Sequence, residues 1–156
     1  PPLIAQWRVT TRTLLGIPSD SIVYAYAGSA HHWQWPEQSV RYVYQEWIKN
    51  RQTFLLILTN QTAIFDQWCR TVGLPSTAYL VTYVAHQDIY RYLAAADYGL
   101  LFREPDIINW VSRPTKLLEY RAIGLPVIHN NTVAFATTVP DAPYVLADSS
   151  TMQLQQ

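Results

Sequence analysis

The stretch Ser112-Arg113-Pro114-Thr115-Lys116-Leu117-Leu118-Glu119-Tyr120-Arg121-Ala122-Ile123-Gly124-Leu125-Pro126-Val127-Ile128 reads as a helix running straight into a buried strand. Ser112 is a good N-cap, and Pro114 falls in the first turn, where a missing N–H costs nothing. Gly124 stands where a C′ residue turns left-handed, and Pro126 prevents the helix from continuing. Leu117, Leu118 and Ala122 supply apolar positions, while Lys116, Glu119 and Tyr120 lie three and four apart on a neighbouring face. A helix N-terminus carrying Arg113 and Lys116 suits a phosphate, because free N–H groups, the helix dipole and two cations coincide there. A capped amphipathic helix with solvated charges has the same spacing.

Upstream, the same alternation repeats. Trp7 to Leu15 has a moderate helical pattern and breaks at Gly16-Ile17-Pro18. Ser21 to Ala27 is apolar and β-rich, as a central parallel strand must be, and ends at Gly28-Ser29. A helix is expected over about Pro36 to Asn50, a strand over Phe54 to Leu58, and a helix over about Gln61 to Val72 that stops at Gly73-Leu74-Pro75. Ala78 to Val84 is a third strand, Asp88 to Ala96 a short helix, Tyr98 to Phe102 a fourth strand and Pro126 to Ile128 a fifth. Tyr144-Val145-Leu146 has the composition of a sixth strand, and Ser149 to Gln156 begins a helical pattern. Strands alternating with helices imply βαβ units: an α/β, Rossmann-like, three-layer αβα fold around a mostly parallel sheet of about six strands.

At 156 residues the chain suits one domain with a sizeable core. Hydrophobic residues make up 49% and charged residues 14%, which argues against disorder. Eleven basic and eleven acidic side chains cancel, so there is no electrostatic footprint for nucleic acid or an anionic membrane. Cys69 is the only cysteine, which excludes a disulfide within the chain and a cysteine-based zinc site; a buried or incidental thiol is expected. No apolar run approaches the roughly 18 residues of a membrane helix, and no secretory signal is visible. The chain opens Pro1-Pro2 and its one methionine is Met152, which suggests an excised domain or processed piece.

In an open parallel sheet, ligands bind beyond the carboxyl ends of the strands. That rule selects Gly28-Ser29, Asn60, Val84-Ala85-His86, Arg103-Glu104 and His129-Asn130. Glu119 reaches the same edge from its helix if its side chain points into the crevice, where a carboxylate suits the hydroxyls of a ribose. The planar fork of Arg103 suits phosphate, and a surface ion pair with Glu104 or Asp106 is its alternative. His31-His32 beside Trp33 and Trp35 reads as a polar loop rather than a metal site, since adjacent histidines do not easily face one ion and no carboxylates accompany them. The tryptophans fit either stacking on a sugar or base, or an interdomain contact. His129, after a buried strand, reads as structural.

The run from Ser112 to Ile128, with Arg103 and Asp97 upstream, resembles the donor-site helix of retaining glycosyltransferases built from two Rossmann-like domains, the GT-B architecture. More narrowly, it is similar to the large bacterial group related to sucrose and mannosyl transferases, whose pattern is roughly S-x-P-T-K-x-x-E-Y-x-A-x-G-x-P-V-I. Every fixed position of that pattern is present.

The resemblance implies that residues 1–156 are a single nucleotide-sugar-binding domain, with an N-terminal acceptor-binding domain as its partner. Such a domain would act as part of a hexosyltransferase and be inactive alone. By the same resemblance Glu119 matches the glutamate that holds the ribose, and Thr115 and Lys116 match the helix start beside the diphosphate. Gly28 lets the backbone approach the donor, with Ser29 next to it; Val84, within Tyr83-Val84-Ala85, falls where the backbone meets the base; Arg103 faces the diphosphate. The catalytic residue is not assigned. No metal and no cofactor are implied, the nucleoside diphosphate sugar being a substrate. A cytoplasmic location follows, with any approach to the cytoplasmic membrane face made through the partner domain.

The departures are specific. The family has two glutamates separated by seven residues, and Val111 occupies the first position here. An arginine just after the first glycine and a lysine a few residues later commonly brace the diphosphate; Ser29 and Trp35 are the nearest matches. Losing two cations at a departing diphosphate removes stabilisation on the order of one oxyanion donor each, several kcal/mol. Arg113, Lys116 and Arg103 are the candidates to replace them. The contrasting hypothesis is a degenerate, non-catalytic binding or interaction domain; a nucleotide-sugar epimerase shares the architecture but resembles this sequence much less.

Overall fold

The computed structural model describes residues 2–103, 115–130 and 144–146. Six strands form one sheet in the order β3-β2-β1-β4-β5-β6: β1 (Ile22–Ala27), β2 (Thr53–Leu58), β3 (Tyr79–Thr82), β4 (Tyr98–Leu101), β5 (Val127–His129) and β6 (Tyr144–Leu146). Every pairing is parallel. The helices are α1 (Pro2–Leu15), α2 (Pro36–Lys49), α3 (Thr62–Val72), α4 (Ile89–Leu93) and α5 (Thr115–Ala122). The expected α/β fold, parallel sheet and sixth strand are all present. Ser112, Arg113, Pro114, Val111, Glu104, Asp106 and the 149–156 pattern lie outside the described residues.

The two-residue period of the strands divides the core. Val23, Ala25, Phe54, Leu56 and Val127 pack on one face with Ile89 and Leu93 of α4 and Leu117 and Tyr120 of α5. Tyr24, Tyr26, Leu55, Ile57 and Ile128 pack on the other with Val40 and Val43 of α2 and Phe65 and Cys69 of α3. Burial on both faces is why these strands read as continuous apolar runs. Cys69 is fully buried, and burial pushes its thiol up to about 12.

The face of α5 corrects the sequence expectation. Leu117 and Tyr120 are buried and Lys116 joins them, whereas Leu118 is 48% exposed and Ala122 also faces out. At about 100° per residue, positions 116, 117 and 120 share one narrow arc and 118 and 122 lie opposite. The reason is Gly99 in β4. A Cβ built there would sit 2.7 Å from two ring carbons of Tyr120, so the missing side chain is the seat of that ring. The Tyr120 hydroxyl donates to the Leu100 carbonyl at 3.0 Å, which satisfies its one polar atom inside the core. Gly99→Ala must push ring or strand aside, and overpacking of this kind is expected to destabilise by about 2–3 kcal/mol in urea titrations.

The helix expected over Asp88 to Ala96 is shorter. A 3₁₀ turn (His86–Asp88) leads into α4, and Ala94 to Ala96 follow as a tighter turn with Ala95 N–H on Tyr92 O and Ala96 N–H on Leu93 O. The carbonyls freed at that end are taken by α1: Arg12 Nε donates to Ala95 O at 2.8 Å and Arg8 Nη1 to Ala96 O at 3.0 Å. Asp97, which the resemblance set upstream of the donor helix, takes part in the same cluster. It accepts from Arg8, Arg12 and the Val23 N–H, at the amino end of the sheet and so away from the edge where ligands bind.

Candidate functional site

The chain leaves β1 in one direction across the sheet and β4 in the other, so the strand order reverses between these neighbours. Loops diverge at such a switch point and open a crevice beyond the carboxyl ends of the strands. A cleft of about 410 Å³ lies at this edge, lined by Gly28 and Ser29 after β1, Thr59 and Asn60 after β2, Tyr83, Val84 and His86 after β3, and Glu119 of α5. Six of the sequence-selected residues, Gly28, Ser29, Asn60, Val84, His86 and Glu119, therefore share one cavity. Thr115 is exposed, and Lys116 and Arg103 are buried; none of the three lines it.

Lys116 lies directly under Gly28. A Cβ on Gly28 would fall 2.6 Å from Lys116 Nζ and 2.9 Å from Gln34 Oε1, and the φ of 149° is one side chains rarely adopt. Lys116 is 8% exposed, and its ammonium donates to Gln34 Oε1 at 3.2 Å and stands 4.2 Å from the centre of the Tyr26 ring. No carboxylate lies within ion-pair distance of it among the described residues. Burial first, and Arg103 second, hold its pKa well below the ordinary lysine value, with Glu119 opposing them.

Arg103 is likewise 8% exposed, so a surface ion pair is not its setting. Its Nε has no hydrogen-bond partner among the described residues. Burial lowers its pKa, opposed by Tyr26 and Tyr120, yet a guanidinium stays protonated in proteins. Two cationic side chains thus sit in dry surroundings at the switch point, and a buried charge left without an opposite charge is costly. Glu119 is half-buried on the cleft wall; burial raises its pKa, and His86 and Lys116 pull it back. His129 is buried and its pKa lowered by that burial, in keeping with a structural role.

Gln34 was not legible from spacing. It comes from a 3₁₀ turn (His32–Gln34) in the histidine-tryptophan loop, and its Oε1 also lies 3.4 Å from the Tyr26 hydroxyl, which donates to Ser29 O at 2.6 Å. The loop is closed by Trp35 in the left-handed region at φ 45°, whose carbonyl accepts from both the N–H and the hydroxyl of Ser39. A tryptophan in that conformation is held by its surroundings, against its own preference. The only sequence signal was Pro36, which marks the start of α2.

No family model and no curated protein matches the sequence. Solved structures do match the fold. WaaG, a glycosyltransferase involved in lipopolysaccharide biosynthesis, superposes with a TM-score of 0.72 at 20% identity over 96% of this chain and 40% of that one. A glycosyltransferase from Rickettsia africae gives 0.68 at 13% identity, over 96% and 40%. The C-terminal domain of LpcC, a glycosyl transferase group 1 family protein from Francisella tularensis, gives 0.65 at 13% identity, over 95% and 78%. The chain therefore spans about two fifths of the first two, with 40% of each covered, and most of the third. It has the Rossmann-like fold seen in these glycosyltransferase structures. Among the described residues no helix is long and apolar enough to cross a membrane.

Proposed function

We propose that this chain is the donor-binding domain of a glycosyltransferase that moves a hexose from a nucleoside diphosphate sugar to a hydroxyl acceptor. The observation that carries this is a pair of buried cations, Lys116 against Gly28 of the cleft and Arg103 just past the end of β4, with the Glu119 carboxylate on the cleft wall. A diphosphate supplies the negative charge that neither side chain finds among the described residues, and Glu119 supplies acceptors for two ribose hydroxyls on the wall of the cleft. The fold shared with glycosyltransferases and the match from Ser112 to Ile128 support the same assignment.

In the transfer, the bond between the sugar C1 and the diphosphate oxygen breaks and its electron pair goes to the diphosphate. A new bond forms between C1 and the acceptor oxygen, whose proton passes to the departing diphosphate. This domain's part is to hold the donor and to meet the charge developing on the diphosphate with Lys116 and Arg103, the type of interaction that stabilises a transition state most. The acceptor and the partner domain belong to the longer protein that this reading implies. The degenerate-domain alternative draws on Ser29, which stands next to Gly28 where a cation is usual.

Calorimetric titration with UDP, GDP and ADP tests the proposal. One nucleotide is expected to bind, and Glu119→Ala to weaken it on the order of 100-fold, the scale of two hydrogen bonds to a charged acceptor. A folded chain that binds none of the three, alone or within its full-length protein, would leave the degenerate domain as the correct description.

A further inference from the structure

The ladder between β4 and β5 ends at Leu101 opposite His129. Beyond that end, the Arg103 N–H donates to Asn130 Oδ1 at 3.1 Å and Asn130 Nδ2 donates to the Arg103 carbonyl at 2.8 Å. One side-chain amide therefore engages both backbone polar groups of Arg103, as a paired strand would, past the point where pairing stops. The side chain so anchored is more than nine-tenths buried and its Nε–H has no acceptor among the described residues.

An arginine at the start of a loop would ordinarily rotate its backbone to hydrate such a group, because an unmet buried donor is costly. The amide clamp removes that freedom. With the backbone fixed, the side chain stays buried with its Nε–H open among the described residues, whereas Lys116 nearby already donates to Gln34. We propose that Asn130 is a positioning residue for phosphate recognition: by fixing the Arg103 backbone at the sheet edge, it presents the guanidinium to the terminal phosphate of a nucleoside diphosphate. The assignment of the phosphate to a nucleotide rests on the donor-binding function above. The clamp itself does not.

The test uses the whole 156-residue chain. Proton-nitrogen NMR of arginine Nε–H groups, with Arg103→Lys to assign the signal, reads the position of Arg103 directly. In Asn130→Ala its exchange with water should accelerate by about tenfold or more, the scale of one lost hydrogen bond. Asn130→Asp keeps the acceptor and the shape but loses the donor, and should shift exchange the same way by less. Unchanged exchange in both variants overturns the proposal.

Titrations with a nucleoside, its monophosphate and its diphosphate supply the second readout. Asn130→Ala should lower the preference for diphosphate over monophosphate about tenfold and leave the nucleoside unaffected. An equal loss for all three means general loosening and also overturns it. Inorganic pyrophosphate separates the two ideas: binding of pyrophosphate but no nucleotide sinks the donor function and leaves the Asn130 role standing, while binding of neither sinks both.

Discussion

Lys116→Met is expected to make the protein more stable and unable to hold a nucleoside diphosphate. Both effects come from the same burial. Lys116 is 8% exposed, and its ammonium meets one amide oxygen and one aromatic face, with no carboxylate in ion-pair range among the described residues. Methionine has nearly the same length and reach, fills the space under Gly28, and carries no charge to desolvate. Removing a poorly compensated buried charge should stabilise by about 1–2 kcal/mol, even after the contact with the Tyr26 ring is lost. Binding should fall by on the order of 100-fold or more, because the phosphate loses a dry, charge-assisted partner.

The pH dependence adds a check with a fixed sign. The folded pKa of Lys116 lies below its unfolded value, so the unfolded chain binds more protons in the window between them. In that window, below the ordinary lysine value, stability rises with pH, and the contribution is complete once pH passes that value. Lys116→Met should lack this rise. Denaturant titrations across the alkaline range measure it, and a variant that is clearly less stable than the parent at neutral pH would show that Lys116 has an anionic partner already.

The strands were legible because burial on both faces leaves runs such as Phe54-Leu55-Leu56-Ile57-Leu58 with no polar interruption, and because Gly16, Gly73 and Gly124 terminate the helices before them in the left-handed region. Glu119 and Lys116 came from helix-terminus and sheet-edge chemistry and from a motif, not from periodicity. The helical pattern of α5 gives two arcs of similar apolarity, Leu117 with Tyr120 and Leu118 with Ala122, and only Gly99, sixteen or more residues away in sequence, decides between them. Gln34 and Asn130 were invisible as partners for the same reason. Each acts on a residue at least 27 positions distant, through contacts that exist once the sheet edge has formed.

Arg12→Ala is expected to cost the fold more than any other single charge removal among the described residues. Arg12 is 4% exposed, and its guanidinium donates to the carbonyls of Ala95 (2.8 Å), Ser21 (3.0 Å) and Ser19 (3.1 Å) and to Asp97 Oδ2 at 2.9 Å. Those acceptors belong to the turn after α4, the loop before β1 and the start of β4, so one side chain ties α1 to three segments. Truncation leaves these carbonyls unmet and strips Asp97 of one of its two cations, Arg8 at 2.6 Å being the other. Breaking a buried pair by removing one partner costs about 3–5 kcal/mol, a large share of the roughly 5–15 kcal/mol that a domain has in total.

Arg70→Ala is the control. Arg70 also pairs with an aspartate, Asp66, one helical turn away, but 74% of its side chain is exposed. Water and salt screen that pair, and its removal should leave the stability close to the parent's. Urea titration of the two variants side by side therefore separates burial from mere pairing. Equal, small losses would show that α1 is not held by Arg12, and with it would go the claim that the amino end of the sheet is the structural edge. If the large difference appears, nucleotide affinity of folded Arg12→Ala should still match the parent, because the ionic cluster and the cleft occupy opposite ends of the same strands.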